Sequence, residues 1–158
     1  MRTFEIMLSA GQLRVAVVAA RFNQEVVRNL VDGCLERLSK LGCGEVDLLW
    51  VPGAFELPLA ARTALETGRY DAAVVLGAVI RGETSHFDYV CRAATDGVIQ
   101  LQAALGLPVA FGVITTDTAE QARARAAAPG SSGPNKGAEA AEVAVEMANL
   151  LSALRGGN

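Results

Sequence analysis

The sequence predicts an α/β fold in which a central, mostly four-stranded parallel sheet lies between two layers of helices. Three observations predict it. Short valine- and alanine-rich runs alternate with longer segments of helical period along the whole chain. Those runs are apolar throughout, as strands covered on both faces are. Strict alternation of strand and helix implies parallel pairing through right-handed crossovers.

Each element follows from local chemistry. "LRVAVVAA" (13–20) is short, continuous and rich in valine, the pattern of a buried strand. In the next segment Val27, Leu30, Val31, Cys34, Leu35, Leu38 and Leu41 recur at helical spacing, with Asn23 placed to cap the start and Gly42 the end. "EVDLLWV" (45–51) is a second strand. "ELPLAARTALETG" is a helix that tolerates Pro58 in its first turn and stops at Gly68. "DAAVVLGAVI" (71–80) is a third strand. Ser85 is placed to cap a helix that runs to Leu105, with Gly106 ending it and Val90, Ala94, Val98, Leu101 and Leu105 as its stripe. "PVAFGVIT" (108–115) is the fourth strand. Thr118 and Gln121 make a capping-box pattern for a short helix. "APGSSGP" breaks the chain before a long helix from about Asn135 to Leu154, where Ala140, Ala144 and Ala148 admit close approach of another element. The whole reads as a three-layer α/β/α sandwich of flavodoxin-like type.

With 158 residues the chain is read as one domain, 1–158. Hydrophobic residues make up 51% and the mean hydropathy is +0.30. A membrane span needs roughly 18 consecutive apolar residues, and the best runs, Ala72–Ile80 and Val15–Ala20, are far shorter. The opening stretch "MRTFEIMLSAGQ" has no signal-peptide h-region. The apolar excess is therefore expected to be buried, part of it against neighbouring subunits, with the small-residue stripe of the last helix contributing. Net charge is −3 with no basic tract, which disfavours nucleic acid. Three scattered cysteines and one histidine do not make a usual zinc site. Free thiols in a reducing cytoplasm are the expectation.

Open parallel sheets bind ligands beyond the carboxyl ends of their strands. There the chain places "RFN", "PGAFE" and "RGETSHF". Phe22 and Phe55 follow two strand ends and Phe111 lies on the fourth strand. They offer flat walls to a planar heterocycle, or else plug the ends of the core; packing alone leaves both readings open. Gly53, Gly77 and Gly82 would let backbone approach a ligand. "GETS" opens a helix whose free N–H groups favour an anion such as phosphate, provided Glu83 points away. Neither dinucleotide nor P-loop spacing of glycines is present. His86, the only histidine, is a candidate acid–base group or simply a polar surface residue. Arg123 reads as part of a solvated helix face. Arg125 suits either that role or phosphate, and Lys136 either phosphate or a helix start.

"RFN", "VPGAFELP", "LGAVIRGETSHFDYVC", "PVAFGVITTDTAEQARAR" and "NKGAEAA", in this order from about residue 13 to 150, resemble the 6,7-dimethyl-8-ribityllumazine synthase family of riboflavin biosynthesis. The resemblance implies a transferase that condenses 5-amino-6-(D-ribitylamino)uracil with (S)-3,4-dihydroxy-2-butanone 4-phosphate. The products are 6,7-dimethyl-8-(D-ribityl)lumazine, phosphate and water, and no metal or organic cofactor is implied. Carried over by motif, Phe22 stacks on the pyrimidine. Ala54, Phe55 and Glu56 hold the ribityl chain, and Ala78, Val79 and Ile80 meet the pyrimidine edge. Glu83 and Thr84 present amides to phosphate, and His86 transfers protons. Phe111 closes the pocket from a neighbouring subunit, Arg125 clamps phosphate and Lys136 supports that region.

The family assembles as pentamers, some of which close into icosahedral shells of sixty subunits. It commonly has a tight glycine-rich turn where this chain has the longer "AAAPGSSGP" with Pro129 and Pro134. The longer bend is expected to change the angle of the last helix and to favour a free pentamer over a shell. Two alternatives compete: a pentameric riboflavin synthase of the archaeal type, which would dismutate the lumazine, and a non-catalytic flavin-binding or shell-forming relative. The intact "GAFE", "GETSH" and Arg125 favour the lumazine synthase.

Overall fold

The computed structural model describes residues 1–156. Its elements are β1 (Arg14–Ala20), α1 (Gln24–Lys40), β2 (Glu45–Val51), α2 (Leu57–Glu66), β3 (Ala72–Ile80), α3 (His86–Leu105), β4 (Val109–Thr116), α4 (Ala119–Ala124) and α5 (Lys136–Leu154). A single 3₁₀ turn, Ala54–Glu56, precedes α2. The four strands form one all-parallel sheet in the order β2-β1-β3-β4. Helices cover both faces, so the α/β/α sandwich stands.

The two-residue period of a strand explains why the central strands are apolar throughout. Val15, Val17 and Ala19 of β1 face a core with α1 and α5, together with Val74 and Leu76 of β3. Ala16, Val18 and Ala20 face a second core with α2 and α3, together with Ala73 and Val75. β2 departs from this pattern. It is an edge strand, and Leu48 and Trp50 lie exposed beside Glu45 and Asp47.

Several ends are built as expected. Thr118 and Gln121 make both bonds of the capping box. Gly42, Gly68 and Gly106 sit past three helix ends with φ of 79°, 72° and 62°, the left-handed geometry that glycine accepts without strain. Two expected caps are absent. Ser85 makes no side-chain cap on α3. Asn23 is the N-cap of α1 but in left-handed backbone (φ 58°), and its side chain does not cap. Its Nδ2 donates instead to the carbonyl of Ala78 at 2.7 Å.

The last helix corrects one expectation. Ala140, Ala144 and Ala148 are buried in this chain's own core, not held for a neighbour. A side chain at Gly137 would overlap the Leu30 carbonyl on α1, and one at Gly112 on β4 would press on Leu76 and Ala140. The small residues serve this close approach. The bend before α5 is closed at its base by the antiparallel bridge Ala126–Asn135 and by Ala127 N–H to Pro134 O at 3.0 Å. Asn135 donates to Asn29 O (2.7 Å) and Ala127 O (2.9 Å) and accepts from Ala138 N–H, which anchors the helix start on α1. Residues 128–134 project from this closure as an exposed loop.

The three cysteines are free thiols. Burial pushes Cys34 up to about 12, and also raises Cys43 and Cys91, which are only half-buried. No helix among the described residues is long and apolar enough to cross a membrane.

Candidate active site

A cleft of about 720 Å³ opens beyond the carboxyl ends of β1, β2 and β3. Its first wall comes from the β1–α1 turn. Arg21 N–H donates to Val51 O and Phe22 N–H to Pro52 O, so the chain runs on beside β2 after the strand ends. The β1–β3 ladder stops at Ala19–Leu76, and the Asn23 side chain then takes up the Ala78 carbonyl. This tie turns Phe22 outward, where 72% of it is exposed. Phe55, on the 3₁₀ turn, is 62% exposed. Neither phenylalanine plugs the core, so the packing reading of the pair fails. Both line the cleft with Ala54 and Glu56.

Ala78, Val79 and Ile80 at the end of β3 form the floor. Gly77 lies beneath it, packed against Leu57 and Ala20, and does not reach the cleft. The β3–α3 loop supplies Gly82 and Thr84 to the lining, and the first turn of α3 supplies His86. His86 N–H lies 3.4 Å from Thr84 Oγ1. Glu83 is exposed and is not among the residues that line the cleft. Asn23, Phe87 and Val90 also line the cleft. The sequence reasoning placed the stretches that carry Asn23 and Phe87 at this rim but gave none of the three a role, although Phe87 and Val90 stand one and four positions after His86 on the same helix. Asn23 carries no sequence signal that separates a cap from a strand-end tie.

The remaining candidates lie elsewhere. Phe111 (41% exposed), Arg125 and Lys136 line a second hollow of about 470 Å³ along the free edge of β4 and the face of α5. The two hollows share no lining residue. In the second, Arg125 Nη1 donates to Gln121 O at 2.9 Å and Lys136 Nζ pairs with Glu139 at 2.6 Å. Arg123 lies 4.0 Å from Glu25, an ordinary surface pair. One chain thus brings aromatic walls, a backbone-rich loop and the histidine into one cleft. It keeps Arg125 and Phe111 on a different surface.

A family model described as 6,7-dimethyl-8-ribityllumazine synthase matches residues 12–152, from the start of β1 almost to the end of α5. The match includes every strand, both walls of the cleft and the β4–α5 hollow. The fold, the cleft at the strand ends and this span agree: the chain belongs to the 6,7-dimethyl-8-ribityllumazine synthase family, transferases of riboflavin biosynthesis.

Proposed function

We propose that the protein joins 5-amino-6-(D-ribitylamino)uracil to (S)-3,4-dihydroxy-2-butanone 4-phosphate in a site shared between neighbouring subunits. The observation that carries this reading is the division of the lining between two surfaces of one chain. The cleft holds Phe22 for stacking on the pyrimidine and the Ala78–Ile80 floor for its edge. Ala54, Phe55 and Glu56 take the ribityl chain, and the amides of Glu83 and Thr84 face phosphate. A neighbour's β4–α5 hollow, laid over this cleft, adds Phe111 as a lid and Arg125 as the phosphate clamp, with Lys136 behind it. A guanidinium suits the phosphate oxygens better than an ammonium because it donates in a planar fork.

The chemistry asks for proton transfers and little else. The 5-amino group adds to the ketone and water leaves, forming a Schiff base. Loss of a carbon-bound proton expels phosphate from the adjacent carbon. The resulting enol becomes a ketone, which the ribityl-bearing nitrogen attacks, and a further water leaves as the ring closes. His86 stands at the cleft rim to move protons in several of these steps. Holding two substrates in contact supplies much of the remaining acceleration.

The assembly is a pentamer, with the exposed 128–134 loop as bulk that opposes closure into a shell. The free cysteines fit a reducing cytoplasm. The purified protein, given both substrates, is expected to release one phosphate per lumazine formed. Release of riboflavin from lumazine alone, with no use of the butanone phosphate, would overturn the proposal.

A further inference from the structure

Arg81 is the first residue after β3. Its N–H donates to the carbonyl of Thr116, the last residue of β4, at 2.9 Å. Its Nε donates to Asp117 Oδ1 at 2.9 Å, and its Nη1 lies 3.5 Å from Asp88 Oδ1 in the first turn of α3. Its Cζ sits 4.3 Å from the centroid of Phe87, a residue of the cleft lining. One side chain thus joins the end of β3, the end of β4 and the start of α3.

The segment this arginine spans has little else to hold it. Residues 82–85 are all exposed. A Cβ at Gly82 would have nothing within 4 Å, and Ser85 makes no cap. The local ties are His86 N–H to Thr84 Oγ1 at 3.4 Å and Asp88 N–H to Ser85 O at 3.0 Å, both internal to the turn. A lone surface ion pair contributes little to stability. Two carboxylates and an aromatic face on one planar guanidinium fix its orientation from three sides.

We propose that Arg81 is a positioning residue, which sets the first turn of α3 against β4 and thereby places His86 and the 82–85 loop over the floor of the cleft. The inference rests on the proposed roles of His86 and of that loop. Apart from Phe87, the walls of the cleft stand on the β1–α1 turn, the 3₁₀ turn and β3, and none of them pairs with the Arg81 side chain.

Arg81→Gln removes the charge and the fork, whereas Arg81→Lys keeps the charge alone. His86 is the only histidine, so labelling histidine with carbon-13 at Cε1 gives one imidazole signal that needs no activity to read. In Arg81→Gln this signal should shift or split. Inorganic phosphate should bind more weakly and kcat should fall about tenfold to a hundredfold, as a small misplacement near reacting groups does. Affinity for the lumazine product should fall much less than affinity for phosphate. Lysine should restore part of kcat, since a point charge can meet one carboxylate but cannot lie flat on Phe87. An unmoved imidazole signal with unchanged kcat overturns the proposal, as does an equal loss of phosphate and lumazine affinity. If Arg81→Gln does not assemble, Asp117→Asn reads the same quantities, and an unmoved signal there overturns it. A moved signal in a protein whose wild type makes no lumazine would leave the positioning standing and remove the proposed function instead.

Discussion

Asn23 offers a perturbation whose size follows from two structural features. Its backbone is left-handed, at φ 58°, and its side chain donates to Ala78 O at 2.7 Å where the β1–β3 ladder has ended. Asn23→Gly should keep the backbone geometry without strain and lose only the hydrogen bond, about 0.5–1.5 kcal/mol. Asn23→Ala should lose the same bond and add a left-handed penalty of roughly 1–2 kcal/mol, for a total near 1.5–3.5 kcal/mol. Alanine should therefore be the more damaging substitution, although alanine is the better helix former. The assay is urea unfolding of both variants at one protein concentration, because assembly and folding are linked. Each variant should also lose pyrimidine affinity, since Phe22 is held outward by this tie. An alanine variant as stable as the glycine variant, or a glycine variant as stable as wild type, would refute the reasoning.

His86→Ala should slow turnover by an amount toward the low end of ~10²–10⁴-fold, because substrates held together still react through water and their own amines. A wild-type rate from pH 6 to 8 would remove the proton-transfer role. Arg125→Ala should raise the Michaelis constant of the butanone phosphate about ten- to a hundredfold and leave that of the pyrimidine nearly unchanged, the value of a charge-assisted contact. Arg125→Lys should recover only part, and an equal rise in both constants would mean a collapsed site. Cys34, raised from 9.0 to about 12 by burial, binds its proton more tightly in the folded chain than in the unfolded one. Its stabilising contribution is complete below pH 9 and is lost as pH rises toward 12, by about 1.4 kcal/mol per pH unit. Urea midpoints of wild type and Cys34→Ala at pH 8 and 10 check this: wild type should fall more steeply, and parallel falls would contradict it.

The fold was largely legible because its signals are local. The valine runs, the 3.6-residue spacing in α1 and the Thr118–Gln121 capping box each specify an element without reference to the rest of the chain. What sequence could not show depends on which elements meet. Leu48 and Trp50 look like core residues until strand order puts β2 at an edge. The alanine stripe of α5 shows that something packs closely, but only the tertiary structure identifies α1 and β4 as the partners. Asparagine suits both a helix cap and left-handed backbone, so Asn23 could not be assigned from its type. The Asn135 bonds to Asn29 and Ala127 that hold the start of α5 join separate elements and have no local signature. Within the cleft, His86, Phe22 and Phe55 were legible because strand ends are where such sheets bind ligands. The Arg81–Asp117 contact joins residues from separate loops and has no local signature.

The shared site is tested most directly by mixing two impaired proteins and assaying them with the butanone phosphate well below the Michaelis constant of the Arg125→Ala variant. His86→Ala subunits retain an intact β4–α5 hollow, and Arg125→Ala subunits retain an intact cleft. Native mass spectrometry should first find each variant, and their co-refolded mixture, at five times the 16.5 kDa chain. In an equal random mixture, each head-to-tail interface pairs an intact His86 with an intact Arg125 about one time in four. Activity near a quarter of wild type is the expected result. No recovery despite verified mixed pentamers would place the whole site within one chain and contradict the account.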